Sequence, residues 1–142
     1  MRMMNVGCGF LLMGVLLCGC QHPSEQDAQI ERLVATIDDN PDLLHSQDTP
    51  SAAKLIAIGR PAIPKMLDLM SSPREDTRFR AEIVVFYIMV KEYGLEPGRG
   101  GPWREDAFNA FWKSMGPLDS EDPAPKREHA VELWRQWLKK NP

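Results

Sequence analysis

Residues 51–94 read SAAKLIAIGRPAIPKMLDLMSSPREDTRFRAEIVVFYIMVKEYG, and the reading of this stretch decides the fold. Ala52, Ala53, Leu55, Ile56 and Ile58 make a short apolar helix, and Gly59 stands where a helix commonly ends in the left-handed conformation. Pro61 and Pro64 both fit a first helical turn, whose N–H groups have no intrahelical partner. Ile63, Met66, Leu67 and Met70 then repeat at helical spacing, so the two short helices form an antiparallel hairpin about a one-glycine corner. After Ser71-Ser72-Pro73 a further helix starts at Glu75 or Asp76, acids that suit a helix N-terminus. From Ile83 to Val90 every residue is apolar. Taken alone that run fits a buried strand as well as a helix. The charged approach (Arg78, Arg80, Glu82) and exit (Lys91, Glu92) favour one helix of about eighteen residues ending at Gly94. A helix apolar on all sides is a buried one, which puts it at the centre of the fold.

Working outward, Ser24 followed by Asp27 has the logic of a capping box. Ile30, Leu33, Val34 and Ile37 follow on one helical face, predicting a first helix over 25–38 that Asp38, Asp39, Asn40 and Pro41 terminate. Residues 40–50 read as loop, as does the glycine- and proline-rich stretch 94–102. Trp103, Ala107, Phe108, Phe111, Trp112 and Met115 predict a helix over about 104–114. A second acidic, proline-rich loop covers 116–125, and the last helix runs over about 126–140, with Lys139 and Lys140 at its C-terminus. The expectation is an all-α domain of about six helices.

Residues 1–19 have the parts of an export signal: Arg2 near the start, an apolar run from Val6 to Leu17, then small residues. The run is too short and too glycine-rich to span a bilayer, which takes about 20 residues. Its end, Leu17-Cys18-Gly19-Cys20, resembles the lipobox of bacterial lipoproteins, with Cys18 at the free position. The resemblance implies cleavage before Cys20 and lipidation of that residue. The domain plan is then a signal peptide over 1–19, a lipid anchor and spacer over 20–25, and one all-α domain over 26–142. Residues 21–25 reach at most about 17 Å, which holds the domain close to the membrane. Gln21 after Cys20 is compatible with outer-membrane sorting as in enterobacterial lipoproteins.

The three cysteines, Cys8, Cys18 and Cys20, all lie in this first stretch. With Cys20 spent on lipid, a protein sent to an oxidising compartment has no disulfide to draw on. Loss of residues 1–19 removes Arg2 and no acid, leaving 16 Lys and Arg against 20 Asp and Glu. That balance argues against nucleic acid as a partner.

Ala53 to Met70 and the segment Asp76-x-x-Phe79-Arg80-x-x-Ile83 resemble a HEAT-like repeat and the start of its successor. The resemblance covers about 51–93 and implies about two helical hairpins, with the first and last helices as caps. It makes Gly59 and Pro61 corner residues and gives Asp76 and Arg80 a structural role linking repeats. It departs from the family at Ile83, where a small residue is usual, and in the expanded connection 95–102.

Together these features favour a non-enzymatic, lipid-anchored interaction or scaffold module facing the periplasm or exterior, held to the membrane through Cys20. It would take an envelope protein as partner and no cofactor or metal. Trp103 and Trp112 are the candidate partner-binding residues, because tryptophan is over-represented at binding hot spots. Two alternatives belong to other classes. One is a small hydrolase or metal-dependent enzyme using His45 or His129 with Asp42 or Glu132, since His129 and Glu132 share a helix face. The other makes the last helix a membrane-surface element through Trp134, Arg135, Trp137, Lys139 and Lys140.

Overall fold

Several helix starts follow from local rules, a capping side chain or a proline in the first turn. The computed structural model describes residues 24–41, 48–95 and 102–142, with side chains from 106 onward in the last segment. Among these residues the structure is entirely helical: α1 (Glu25–Ala35), α2 (Pro50–Ile58), a single 3₁₀ turn (Arg60–Ala62), α3 (Ile63–Leu69), α4 (Glu75–Glu92), α5 (Pro102–Ser114) and α6 (Ala124–Lys140). The Ser24 capping box is present, with Ser24 Oγ accepting from Asp27 N–H and Asp27 accepting from Ser24 N–H, both at 3.1 Å. Thr49 caps α2 by accepting from Ala52 N–H at 3.1 Å, and Pro50 occupies the first turn. Pro102 and Pro125 likewise extend α5 and α6 back by two residues beyond the expected starts.

The first helix is three residues shorter than its apolar spacing predicts. It ends at Ala35, and residues 36–38 turn instead of continuing. The turn is held from outside the helix. Thr49 Oγ1 donates to Ile37 O at 2.8 Å, the hydroxyls of Thr36 and Ser51 meet at 2.8 Å, and Asp38 faces α4. A tertiary hydrogen-bond set thus overrides a helical pattern that would carry Ile37 one turn further.

Gly59 ends α2 with φ +83° and ψ −146°. This is a positive-φ conformation, but it is the extended glycine region and not the left-handed helical one that the sequence predicts. The 3₁₀ turn then carries Pro61, and α3 takes Pro64 in its first turn.

The helices alternate in direction. The exit of α1 meets the start of α2 through Thr36–Ser51 and the start of α4 through Arg74–Asp38 at 3.1 Å. The Gly59 corner meets the end of α4 through Arg60–Glu92 at 3.0 Å and the end of α6 through Arg60 Nη1–Asn141 O at 2.9 Å. Met70, ending α3, accepts from Arg127 in the first turn of α6 at 3.2 Å. Phe108, midway along α5, packs on Tyr93 after the end of α4, with ring centroids 5.6 Å apart, and Trp112, later in α5, meets Phe86, earlier in α4. Two poles result. One holds Ser24, the Gly59 corner, Glu92 and Asn141. The opposite pole holds the 36–41 turn, residues 70–74 and the 115–123 connection.

Helix α4 is the centre, as its sequence predicts. Ala81, Val84, Val85, Ile88 and Met89 are buried against Leu55, Ile63, Met66 and Leu67. It is not buried on every side, however. Phe79 is 38% exposed, and Ile83, Phe86 and Tyr87 are half-buried. The cause is coverage: α5 reaches Phe86 through Phe108 and Trp112 but not the first two turns of α4.

Arg80 is the charged group on the inner face of α4, 5% exposed, and it donates to Asp38 Oδ1 at 2.5 Å. Thr77 Oγ1 donates to the other carboxylate oxygen at 2.6 Å. Burial by itself raises the Asp38 pKa, but the hydrogen bonds from Thr77 and Arg80 and the charges of Arg74 and Arg80 outweigh it. The carboxyl is held below its ordinary value. Removing one partner of a buried pair is far costlier than the pair is stabilising, so Arg80→Ala should lose about 3 kcal/mol in chemical denaturation. Because the folded-state pKa is the lower one, Asp38's contribution is complete above the unfolded value of about 3.9 and disappears as pH falls through the folded value. Asp38→Asn should therefore flatten the acid limb of the stability curve.

Candidate functional site

The residues singled out by sequence fall into three places. Gly59 and Pro61 form the corner between α2 and α3. Asp76 is exposed in the first turn of α4, while Arg80, one turn later, is buried against Asp38 in the turn after α1. Trp112 belongs to an aromatic seam between α4, α5 and α6. Cys20, Asp42 and His45 lie outside the described residues, as does the side chain of Trp103.

The seam is continuous. Phe86 meets Phe108 and Trp112 edge-on, Trp112 stacks on Phe108 and meets Trp134, and Trp134 meets Phe111 and Trp137, with centroids 5.3–5.9 Å apart. Such offset and edge-to-face pairs each add about 0.5–1.5 kcal/mol beyond their buried area. Trp112 is therefore half spent on packing. Trp134 is fully buried, and its indole N–H finds no acceptor among the described residues. It serves the core and has no face to offer a bilayer. Trp137 is half-buried beneath Arg60, whose guanidinium carbon lies 4.9 Å from the ring centroid.

His129 and Glu132 are both exposed on α6, and Glu132 accepts from Gln136 at 3.1 Å. No three His, Cys, Asp or Glu side chains among the described residues come together in a way that could hold a metal ion.

What the helices do form is a groove of about 290 Å³ between α3 and α6. Leu67, Met70 and Val131 give it an apolar floor, and Arg127, Glu128 and Arg135 line its edge. The arginines are engaged. Arg127 donates to the carbonyls of Met70 and Asp122, and Arg135 donates to Asp68 at 2.9 Å across the two helices. An apolar floor behind committed cations can seat an apolar side chain of a peptide.

The remaining charged feature is the 118–122 loop, fastened onto α4. Arg78 Nε donates to Ser120 O at 2.9 Å, and Glu82 accepts from Ser120 N–H at 2.9 Å. Arg78 also donates to Ser72 O at 2.9 Å, so one side chain ties both loops of this pole. Burial pushes the Glu82 pKa above its ordinary value, the bonds from Ser120 oppose the shift, and the neighbouring charges of Asp119 and Glu121 add to it. Neither Arg78 nor Glu82 stood out in the sequence, because their partner lies about forty residues away and no local pattern marks it.

Comparison with known protein families, with characterised proteins and with solved structures found no match to this chain.

Two substitutions separate these roles. A raised folded-state pKa contributes stability below the unfolded value and loses it as pH rises through the folded one, so at neutral pH the Glu82 charge works against folding. Glu82→Gln keeps an acceptor for Ser120 and should be neutral or stabilising at pH 7, with the benefit shrinking as pH falls toward the carboxylate range. Trp134→Ala, by contrast, opens a cavity in the seam and should lose about 3–5 kcal/mol. Urea titrations across pH check both.

Proposed function

We propose that this chain is a lipid-anchored envelope protein whose helical domain is a non-enzymatic interaction module. Cys20 carries the anchor, through the lipobox-like Leu17-Cys18-Gly19-Cys20. The domain faces the periplasm or exterior and takes another envelope protein as partner. In this reading α2, α3 and α4 are a short HEAT-like segment, with α1 and α6 as caps and with Arg80 reaching back to the element before it.

The observation that carries the reading is the polarity of the helical array. Ser24, four residues from Cys20, begins α1, whose Asp27 lines a pocket together with Pro61 of the Gly59 corner, and Arg60 of that corner bonds Asn141. Four residues span at most about 14 Å, so an anchor on Cys20 brings that pole to the bilayer and turns the other outward. Several acyl chains, at about 0.8 kcal/mol per buried methylene, hold a protein where a single chain binds only marginally. The α3–α6 groove and the outer face of α4 run along the sides of a domain held this way. A lipid tether and binding surfaces along helices suit a module that captures a neighbour in the envelope.

Intact mass of the protein taken from its native membrane tests the tether. The expected result is a chain beginning at Cys20 plus acyl groups, with the acyl mass lost in Cys20→Ser. An unlipidated mass would overturn the anchor.

A further inference from the structure

We propose that the outer face of α4 around Phe79 is a docking site for a cationic, amphipathic helical segment of a partner protein. This rests on the reading of the chain as an interaction module and names the surface and the partner's chemistry.

Phe79, Ile83, Phe86, Tyr87 and Val90 fall at i, i+4, i+7, i+8 and i+11 on α4, opposite the face that Ala81, Val84 and Ile88 bury. Helix α5 covers the later part of this stripe through Phe108 and Trp112 on Phe86. The earlier part stays open: Phe79 is the large apolar side chain that stands exposed among the described residues, with Ile83 and Tyr87 half-buried behind it. The opening is a consequence of length, since α5 has 13 residues and α4 has 18.

The surroundings decide among possible occupants. Glu75 and Asp76 lie one turn before Phe79, both exposed. Arg78 and Glu82 clamp the loop bearing Asp119 and Glu121 beside them. Glu75, Asp76, Asp119 and Glu121 make no ion pair among the described residues. The nearby cations are fewer than the acids: Arg74 and Arg80 meet Asp38, Lys126 meets Asp122, and Arg78, which keeps its charge, is turned onto the carbonyls of Ser72, Pro73 and Ser120. An apolar stripe with a margin in which acids outnumber cations disfavours a second copy of itself and disfavours anionic lipid headgroups. It complements a helix with an apolar stripe and flanking lysines or arginines. The pole that carries it is the one opposite Ser24, so an anchor on Cys20 presents it away from the bilayer.

The test uses a synthetic helical peptide of lysine and leucine carrying a photoreactive group, and a scrambled peptide of the same composition. The full chain is loaded in zwitterionic nanodiscs, with empty nanodiscs as reference. The expected result is saturable binding above the empty-disc level, cross-links within residues 75–87, and weakening by added salt. Phe79→Ser should weaken binding about tenfold or more, and because Phe79 is only partly covered it should lower the melting temperature modestly and leave the chain folded at the assay temperature. Cross-links in the α3–α6 groove, equal affinity for the scrambled peptide or the Phe79→Ser variant, cross-links between two copies of the chain, or no binding above empty nanodiscs would each overturn the docking site. The mass of Cys20 decides the tether separately, and an unlipidated chain is assayed in buffer with the same peptides and variant.

Discussion

The contact between Asp38 and Arg80 sets the constraint under which the rest of the structure is arranged. Helix α4 buries its inner face completely, and that face contains one guanidinium. A buried charge without a partner costs several kcal/mol, so the chain has to deliver a carboxylate to that point. Asp38 arrives because α1 stops early and turns, and the same turn places Ile37 in the core and brings Thr36 and Ile37 to Ser51 and Thr49 of the α2 start. Replacing such a pair with apolar residues is often neutral in stability. Its consequence here is register: it fixes where α1, α2 and α4 meet in a domain whose sequence holds no cysteine beyond residue 20.

A second constraint acts at the other side of α4. Two short helices and a 3₁₀ turn cover its inner face, while α5 and α6 close the rest with aromatic rings. Large rings reach across the gap between helices more easily than branched aliphatics, and the seam runs unbroken from Tyr93 through Phe111 to Trp137. Arg60 closes the seam at its end by lying on Trp137 and bonding both Glu92 and Asn141. One arginine thereby ties the α2–α3 corner to the ends of α4 and α6, mirroring Arg78 at the opposite pole. The seam consumes three of the aromatic side chains that a reading of tryptophan as a binding residue would count: Trp112, Trp134 and Trp137.

Periodicity made most of the helices legible. The α4 run of apolar residues correctly marked the centre, and caps at Ser24 and prolines near helix starts placed boundaries to within a few residues. What was illegible depended on long-range pairing. The apolar spacing through Ile37 predicts a longer α1, and only the clasp from Thr49, Thr77 and Arg80 explains why the helix turns. Gly59 was identifiable as a corner, yet its φ of +83° with ψ −146° follows from the 3₁₀ turn packed after it. The open face at Phe79 was hidden by the very feature that identified α4, because a helix apolar all round gives no sign of which stripe its neighbours leave bare. Arg78 and Glu82 looked like an ordinary charged approach to the apolar run.

The domain has two unlike poles, one with Ser24 and the Gly59 corner and one carrying Phe79 and its acidic margin. If Cys20 is lipidated, no cysteine in the mature chain remains free, so a cysteine placed at either pole can be labelled singly. Energy transfer from a fluorophore at Lys140→Cys or at Glu75→Cys to acceptors in the vesicle surface measures how the lipidated protein stands. The separation of the poles along α4 is about 27 Å. Transfer should be strong from position 140 and weak from position 75. Equal transfer from both, or stronger transfer from position 75, would contradict the polarity on which the account rests.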